Sequence, residues 1–583
     1  MRELLCKLYD NVFATNPYPS KWQQQQQLPI GHPKKGHTLS EPKLRGVGIG
    51  PVLSRAYDDI IDTRFRSWYK PNKEQAAFTK GQGCPLQVFA AYLLIELAKS
   101  KGQQLFIAYM DYEKAFDFLN RKLLIEKLQK KNAGSKFTGA IHRMYTNTSY
   151  TPKISESLLG DPISTEHGVT QGKKSSANLY SFFVSDMGEC LLNHDIDFMD
   201  PANLCQLADD TAAFAATLET IASKLTALFV YSKENHQSAN IGKTKYLHLS
   251  KTPLTDAIKI SDGEYVESAH KEGYRYLGVL FICSDEVAEQ ILKNIEDRKG
   301  NMHKFYAWLD HNEDTPIQVK LIVLYNCVLA SIFYCAETWF EIDAVSEVML
   351  LLERQGLKRC LAVKRSTPDD ILYTELNRPD IVSVMKDRQY NFFCKLANLD
   401  GSAIVCDILT MCAAADLEVI RYYNSLTDTH CEVDKTKRKE RMEIGETTYI
   451  KRYREITKLE YCHSLYETYL REDLRITLTR WRLSCIPLLI ESGRYKGMER
   501  ENRLCPFCNV VEDEEHAVYI CKAYNNLRLG REQLLEQNPS IKDLLSPKDK
   551  ETAYSVGCFL KEIEEKRKSL CGIWFRNTRL KKK

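Results

Sequence analysis

The chain has 583 residues, 44% of them hydrophobic and 27% charged, with a formal net charge of +4. That length and apolar content support several domains with real cores, while so mild a charge neither demands nor excludes a nucleic-acid partner. The first 15 residues mix charges with short apolar pieces and form no signal peptide. The most apolar stretch, Leu321 to Phe340, contains Asn326, Ser331 and Glu337, and so reads as a buried helix rather than a membrane span. Nineteen cysteines without a secretory signal fit a reducing compartment, the nucleus or the cytoplasm.

In chain order, Gln23–Gln27 is a glutamine tract placed in a loop. Asp58-Asp59 falls in a helical pattern that puts both acids on a solvated face. Residues 85–100 form a helix. The apolar run Gln104–Met110 predicts one buried strand ending at Asp111, and Asn120 caps a helix through Leu128. Residues 203–215 predict a β-hairpin with Asp209 and Asp210 at its tip. Carboxylates there are costly unless hydrated or neutralised by cations, and Mg²⁺ ions roughly 3.5–4 Å apart are their usual partners in nucleotidyl transfer. Asp111 at the end of a neighbouring strand could share two such metals with them. A double Asp alone carries little weight, since Asp369-Asp370 after Pro368 reads simply as a helix start.

From 285 to 475 the pattern is mainly helical, with Lys435–Lys439 and Arg576–Lys583 as basic runs suited to phosphate, to nuclear import or to a solvated face. Cys505 and Cys508, then His516 and Cys521, give C-x2-C-x7-H-x4-C. Four such ligands close a tetrahedron, so a Zn²⁺ there would be structural; the alternative is a loose cluster of reduced thiols.

Several segments together resemble reverse transcriptases of non-LTR retrotransposons. Tyr109–Asp117 is similar to their first catalytic motif, and His167–Tyr180 to their Gly-Val-x-Gln-Gly motif with its downstream Ser. Leu207–Asp210 resembles the Tyr/Phe-Ala-Asp-Asp box, Asn240–Lys245 the Asn-x-x-Lys-Thr motif, and Tyr274–Val279 the primer-grip segment, all in the family's order. Pro29–Gly36, Leu44–Ile49 and Glu74–Cys84 resemble the fingers motifs. Three departures stand out: Ala77 replaces a Gly, which puts the local turn in doubt; Leu207 replaces an aromatic; Lys173-Lys174 replaces Cys-Pro.

The resemblance implies an α/β (α+β) right-hand polymerase with fingers, a palm with an antiparallel sheet, a helical thumb and a small C-terminal zinc-binding module. The expected divisions are a leader at 1–28, fingers at 29–103, palm at 104–282, thumb and linker at 283–475, zinc knuckle at 476–530 and a basic helical tail at 531–583. It implies RNA-directed DNA synthesis from a DNA primer, with dNTPs as substrates, RNA as template and no membrane. Asp111, Asp209 and Asp210 would hold two Mg²⁺. Phe116 would lie under the incoming sugar, where a ring excludes a ribose 2′-hydroxyl; an ordinary core aromatic is the other reading. Gln171 and Gly172 would lie against the nascent base pair, Asp117 would brace the turn, and Lys243 belongs to the substrate site. Lys34 and Arg45 would contact the triphosphate, although Lys34 is equally a solvated loop charge. The knuckle would grip template RNA or target DNA. Nothing in the sequence resembles the endonuclease that the family often carries ahead of the polymerase, so a truncated or rearranged element product that borrows a nick is expected. The rivals are a non-catalytic, maturase-like RNA-binding factor and an RNA-templated RNA polymerase, the latter disfavoured by Phe116.

Overall fold

In the computed structural model, residues 2–14, 17–30, 45–153, 159–191, 202–260, 263–399 and 401–571 are described. They form two units, one of residues 1–290 with 393–424 and the other of 291–392 with 425–583.

The first unit is built on two sheets. In the smaller, β1 (Gln24–Ile30) lies between β2 (Arg45–Ile49), antiparallel, and β4 (Ser149–Pro152), parallel, and β5 (Ile163–Ser164) adds to β4. The glutamine tract is therefore not a loop: Gln23 ends a short helix and Gln24–Gln27 form the start of β1. Pairing on both edges satisfies its backbone, and Gln25, buried, donates through Nε2 to Thr170 Oγ1 at 3.3 Å. Tertiary pairing overrides the weak strand propensity of glutamine.

The larger sheet runs β6-β7-β3-β8-β10-β9. Its members are β3 (Leu105–Met110), β6 (Leu204–Leu207), β7 (Asp210–Ala215), β8 (Lys245–Leu249), β9 (Ile258–Lys259) and β10 (Tyr265–Ser268). All pairings are antiparallel except β8 with β10. Central β3 is buried along its whole length, as a continuous apolar run requires when both faces are covered. Helices Cys84–Ser100 and Leu218–Glu234 pack on this sheet, the second opened by Thr217, whose hydroxyl accepts from Thr220 N at 3.1 Å. Small residues in β7 (Ala212, Ala213 and Ala215, all fully buried) allow that close approach. A separate hairpin, β11 (Tyr274–Tyr276) and β12 (Val279–Phe281), lays Tyr274 on Tyr109 of β3 with ring centroids 4.3 Å apart and planes 4° from parallel.

Asp58 departs from its expected solvated position. It is buried and caps helix Lys174–Phe183, accepting from Lys174 N at 2.8 Å and Ser175 Oγ at 2.5 Å. Only Asp59 faces solvent, paired with Lys174 Nζ at 2.8 Å. An acid at a helix N-terminus is favourable electrostatically, and here the helix it caps is remote in sequence.

The second unit is helical. Helix Glu472–Arg482 packs on Lys550–Cys571, and inside the unit Arg482 pairs with Glu375 at 2.6 Å, both fully buried. Lys320 and Arg475 share Glu472 in the same way, at 2.6 and 2.8 Å. Removing one partner of such a pair strands a buried charge, a loss of about 3–5 kcal/mol. Residues 323–329 form a π-helical turn within 317–332, where one apolar helix was expected. The basic run at 435–439 lies on helix His430–Ile444, but Arg438 is buried against Asp434 and over the Tyr373 ring, so it is no free phosphate contact. The run at 576–583 lies outside the described residues. Among the described residues no helix is long and apolar enough to cross a membrane, and the cysteines form no disulfides.

Candidate active site and cysteine–histidine cluster

The carboxylates meet at one end of the larger sheet. Leu207 pairs with Asp210, leaving Ala208 and Asp209 as a two-residue turn. Met110 pairs with Thr211, so continuing the register by one residue sets Asp111 across from Asp210, with Asp209 beside them at the turn. All three stay in contact with water, Asp111 with a quarter of its side chain exposed. Their field reaches the surrounding phenols. Burial first, then the charges of Asp111 and Asp210, raises the Tyr274 hydroxyl above its ordinary range. Tyr180 is raised by burial and, among lesser causes, by Asp209 and Asp210.

The Asn-x-x-Lys-Thr segment is the pedestal for Asp111. Asn240 N donates to Asp111 O at 2.8 Å, and the Asn240 side chain accepts from Lys243 N at 3.2 Å. Thr244, buried, donates through its hydroxyl to Asn240 O at 2.9 Å. This turn brings Lys243 Nζ to 2.8 Å from Asp111 Oδ2. Such an exposed pair adds little stability, but it places a cation beside Asp111.

Phe116 is half-buried and stacks on buried Tyr180, with centroids 4.4 Å apart. Its carbonyl accepts from Val169 N at 2.9 Å, and Gly168 N donates to Leu119 O at 2.8 Å. Gly168 has φ +79°, and a Cβ there would lie 2.4 Å from Asp117 O, so this junction needs glycine. Gln171 donates through Nε2 to Asp117 Oδ1 at 3.1 Å, and Gln171 O accepts from Gly48 N at 2.6 Å. Gly172, at φ +113°, would drive a Cβ to 2.7 Å from Gly48 O. Gln171 thus ties β2 to the segment that follows β3. Arg45 opens β2 opposite Ile30. Lys34 lies outside the described residues.

Next to Gly172, Lys173 is 7% exposed and its Nζ finds no hydrogen-bond partner. Burial pulls its pKa down to about 8, against the pull of Asp58. The ammonium lies over the Tyr18 and Tyr145 rings at 5.8 and 5.5 Å.

In the second unit, Cys505, Cys508, His516 and Cys521 bring their ligand atoms within 4.8 Å of one another. The Cys505–Cys521 and Cys508–Cys521 sulfurs are each 3.8 Å apart, matching the edge of about 3.8 Å that a tetrahedron with Zn–S bonds of ~2.3 Å requires. Both ring nitrogens of His516 are buried without a hydrogen-bond partner, and burial lowers its pKa, which keeps the neutral, ligating form. Asn509, at φ +55°, donates from its N to Cys505 O at 2.9 Å and closes the knuckle. Lys522 N points at Cys508 Sγ from 3.3 Å, a contact that favours thiolate. The donor set and its closure fit Zn²⁺.

Sequence reasoning missed Tyr180 as the floor under Phe116 and Asn240 as the support of Asp111. The Asn-x-x-Lys-Thr spacing itself was the available signal for Asn240. For Tyr180 none was available.

The larger sheet thus carries three carboxylates at one end, with helices packed on it and Phe116 stacked on Tyr180. Residues 32–281 match the reverse transcriptase (RNA-dependent DNA polymerase) family. Over these residues the chain is similar to a reverse transcriptase domain. The Retrovirus-related Pol polyprotein from type-1 retrotransposable element R2 of Nasonia vitripennis is 22% identical over 289 residues, 48% of this chain and 28% of its own length. The Transposon TX1 uncharacterized 149 kDa protein of Xenopus laevis is 35% identical over 316 residues, 52% of this chain and 23% of its own length. The chain thus spans about a quarter of the length of these relatives. Among solved structures, telomerase from Candida albicans in complex with a TWJ fragment of telomeric RNA aligns at 12% identity and TM-score 0.33, over 74% of this chain and 67% of that one. Apo telomerase from Candida tropicalis aligns at 13% identity and TM-score 0.33, over 73% and 74%.

Proposed function

We propose that the chain extends a DNA primer on an RNA template by nucleotidyl transfer at Asp111, Asp209 and Asp210. The convergence of these carboxylates at the β6–β7 turn, with Phe116 and Lys243 at hand, carries this reading. The donor set is hard oxygen, open to water, and suits Mg²⁺ rather than a softer ion. Two Mg²⁺ held there would lower the pKa of the primer 3′-hydroxyl and offset charge on the triphosphate and departing pyrophosphate.

The chain's own residues do the positioning. The primer 3′-oxygen attacks the α-phosphorus of a dNTP, and the bond to pyrophosphate breaks. Phe116, held against Tyr180, lies under the sugar and leaves no room for a 2′-hydroxyl. Gln171 and Gly172 bring bare backbone against the nascent pair. Lys243 moves from Asp111 to the triphosphate when substrate arrives. Cys505, Cys508, His516 and Cys521 hold one structural Zn²⁺.

Primer extension on primed RNA with Mg²⁺ and dNTPs, comparing the wild type with Asp209→Ala, tests the reading. Extension by the wild type alone is expected. A folded, zinc-loaded, RNA-binding wild type that never extends would overturn it in favour of a non-catalytic RNA-binding factor.

A further inference from the structure

The β6–β7 turn carries an anomaly. Ala208, immediately before Asp209, sits at φ +58°, backbone that glycine adopts freely and alanine does not. A single side chain answers its backbone. Gln75 Oε1 accepts from Ala208 N at 2.8 Å and from Ala77 N at 3.0 Å, while Gln75 Nε2 points at Ala208 O from 3.4 Å. Gln75 is 1% exposed.

The Gln75 backbone is equally fixed. Ala76 N donates to Gln206 O at 3.0 Å and Gln206 N to Glu74 O at 2.8 Å, so residues 74–76 run beside β6 as an added edge. Gln87, from helix Cys84–Ser100, donates through Nε2 to both Glu74 O and Gln206 O at 3.0 Å. Lower in the turn, Gln206 Nε2 meets Met187 Sδ at 2.9 Å. The chain then leaves through Phe78 at φ +59°. A segment upstream of the sheet thereby grips the carboxylate turn from its outer edge.

We propose that Gln75 is a positioning residue for the active site: its amide holds Ala208 left-handed and so sets the direction of the Asp209 carboxylate. This deepens the polymerase reading and rests on it. The task needs a donor and an acceptor on one buried, uncharged group. Glutamate would lose the donor and add charge beside three carboxylates, and methionine would keep the shape but lose both bonds. Glycine at 208 would reach the same backbone unaided, so the two positions should be coupled.

The test is a double-mutant cycle with Gln75→Met and Ala208→Gly in the full chain. Single-nucleotide extension is read beside Mn²⁺ affinity of the protein alone by EPR, with Asp209→Ala as the baseline. Misplacement of a reacting group by about 1 Å can cost on the order of 10²-fold, so Gln75→Met should lose 10- to 100-fold in kcat. Primer–template affinity should change little, the thermal midpoint should fall modestly with the two lost hydrogen bonds, Mn²⁺ should bind more weakly, and Ala208→Gly should restore most of the kcat and Mn²⁺ losses. Wild-type kcat and Mn²⁺ affinity in Gln75→Met would overturn the proposal. So would a loss that follows the thermal midpoint and that Ala208→Gly leaves untouched. If the wild type itself never extends, the polymerase reading fails, and the Mn²⁺ cycle still decides whether Gln75 aims the carboxylate.

Discussion

Two clusters in this chain carry donor atoms that suit cations, and they are built in opposite ways. The carboxylate site lies at the rim of a sheet, half in water, assembled from residues 111, 209 and 210 that only strand register brings together. The cysteine–histidine site is folded from one short stretch, with Cys505, His516 and Cys521 at 1–3% exposure. Hard oxygens with open access suit ions that share their coordination with substrate. Soft donors closed on all sides suit an ion that never leaves. Openness, not ligand count, is what separates a site for chemistry from a site for shape.

The comparison can be broken most forcefully at the rim. Asp111→Ala should abolish extension, a loss of at least ~10³-fold if it removes a charge that acts mainly in the transition state, while circular dichroism and zinc content stay unchanged. His516→Ala should do the reverse. Atomic absorption should show bound zinc falling, and limited proteolysis should cut within 500–525, because metal binding and local folding are the same free energy.

Phe116→Val should sharpen the substrate side. Incorporation of rNTPs relative to dNTPs should rise by roughly 10-fold or more if the ring acts as a steric gate, since losing an aromatic wall changes discrimination by about 1–3 kcal/mol. An unchanged ratio would leave Phe116 as a core aromatic stacked on Tyr180.

A smaller effect concerns pH. The Lys173 ammonium is disfavoured by burial, and its pKa is about 8 in the fold against 10.5 for an ordinary lysine. The unfolded chain therefore binds more protons between about pH 8 and 10.5, and stability rises with pH across that window. The groups facing this amine are Asp58, whose pKa burial raises from its ordinary acidic value, Arg121, and the phenols of Tyr18 and Tyr145, which burial holds protonated there. Lys173→Met should remove the rise, so its stability advantage in urea melts should shrink from pH 7 to pH 10. The smallest change is Asn120→Ala. Its side chain accepts from Leu123 N at 3.0 Å, and losing that cap should cost about 1 kcal/mol.

Much of the rim was legible in the sequence. Alternating small and apolar residues around Asp209-Asp210 encode a hairpin, the buried run before Asp111 encodes its neighbour, and Asn120 caps as its position implies. The cysteine spacing encodes its own knuckle. What escaped depends on distant partners. Asp58 reads as a surface acid until helix Lys174–Phe183 arrives to be capped. Arg438 reads as a solvated cation until Asp434 and Tyr373 enclose it. Gln24–Gln27 become a strand only because strands on both sides need a partner. At the Ala77 departure the left-handed residue is Phe78, at φ +59°, which no local rule supplies.

The most direct test of the central claim is single-nucleotide incorporation by zinc-loaded protein on a primed RNA template, with Mg²⁺ titrated from zero. The account predicts no product without Mg²⁺, saturable incorporation of dNTPs as it is added, and none at any concentration for Asp111→Ala. Incorporation that persists without Mg²⁺, or that survives the loss of Asp111, would contradict it.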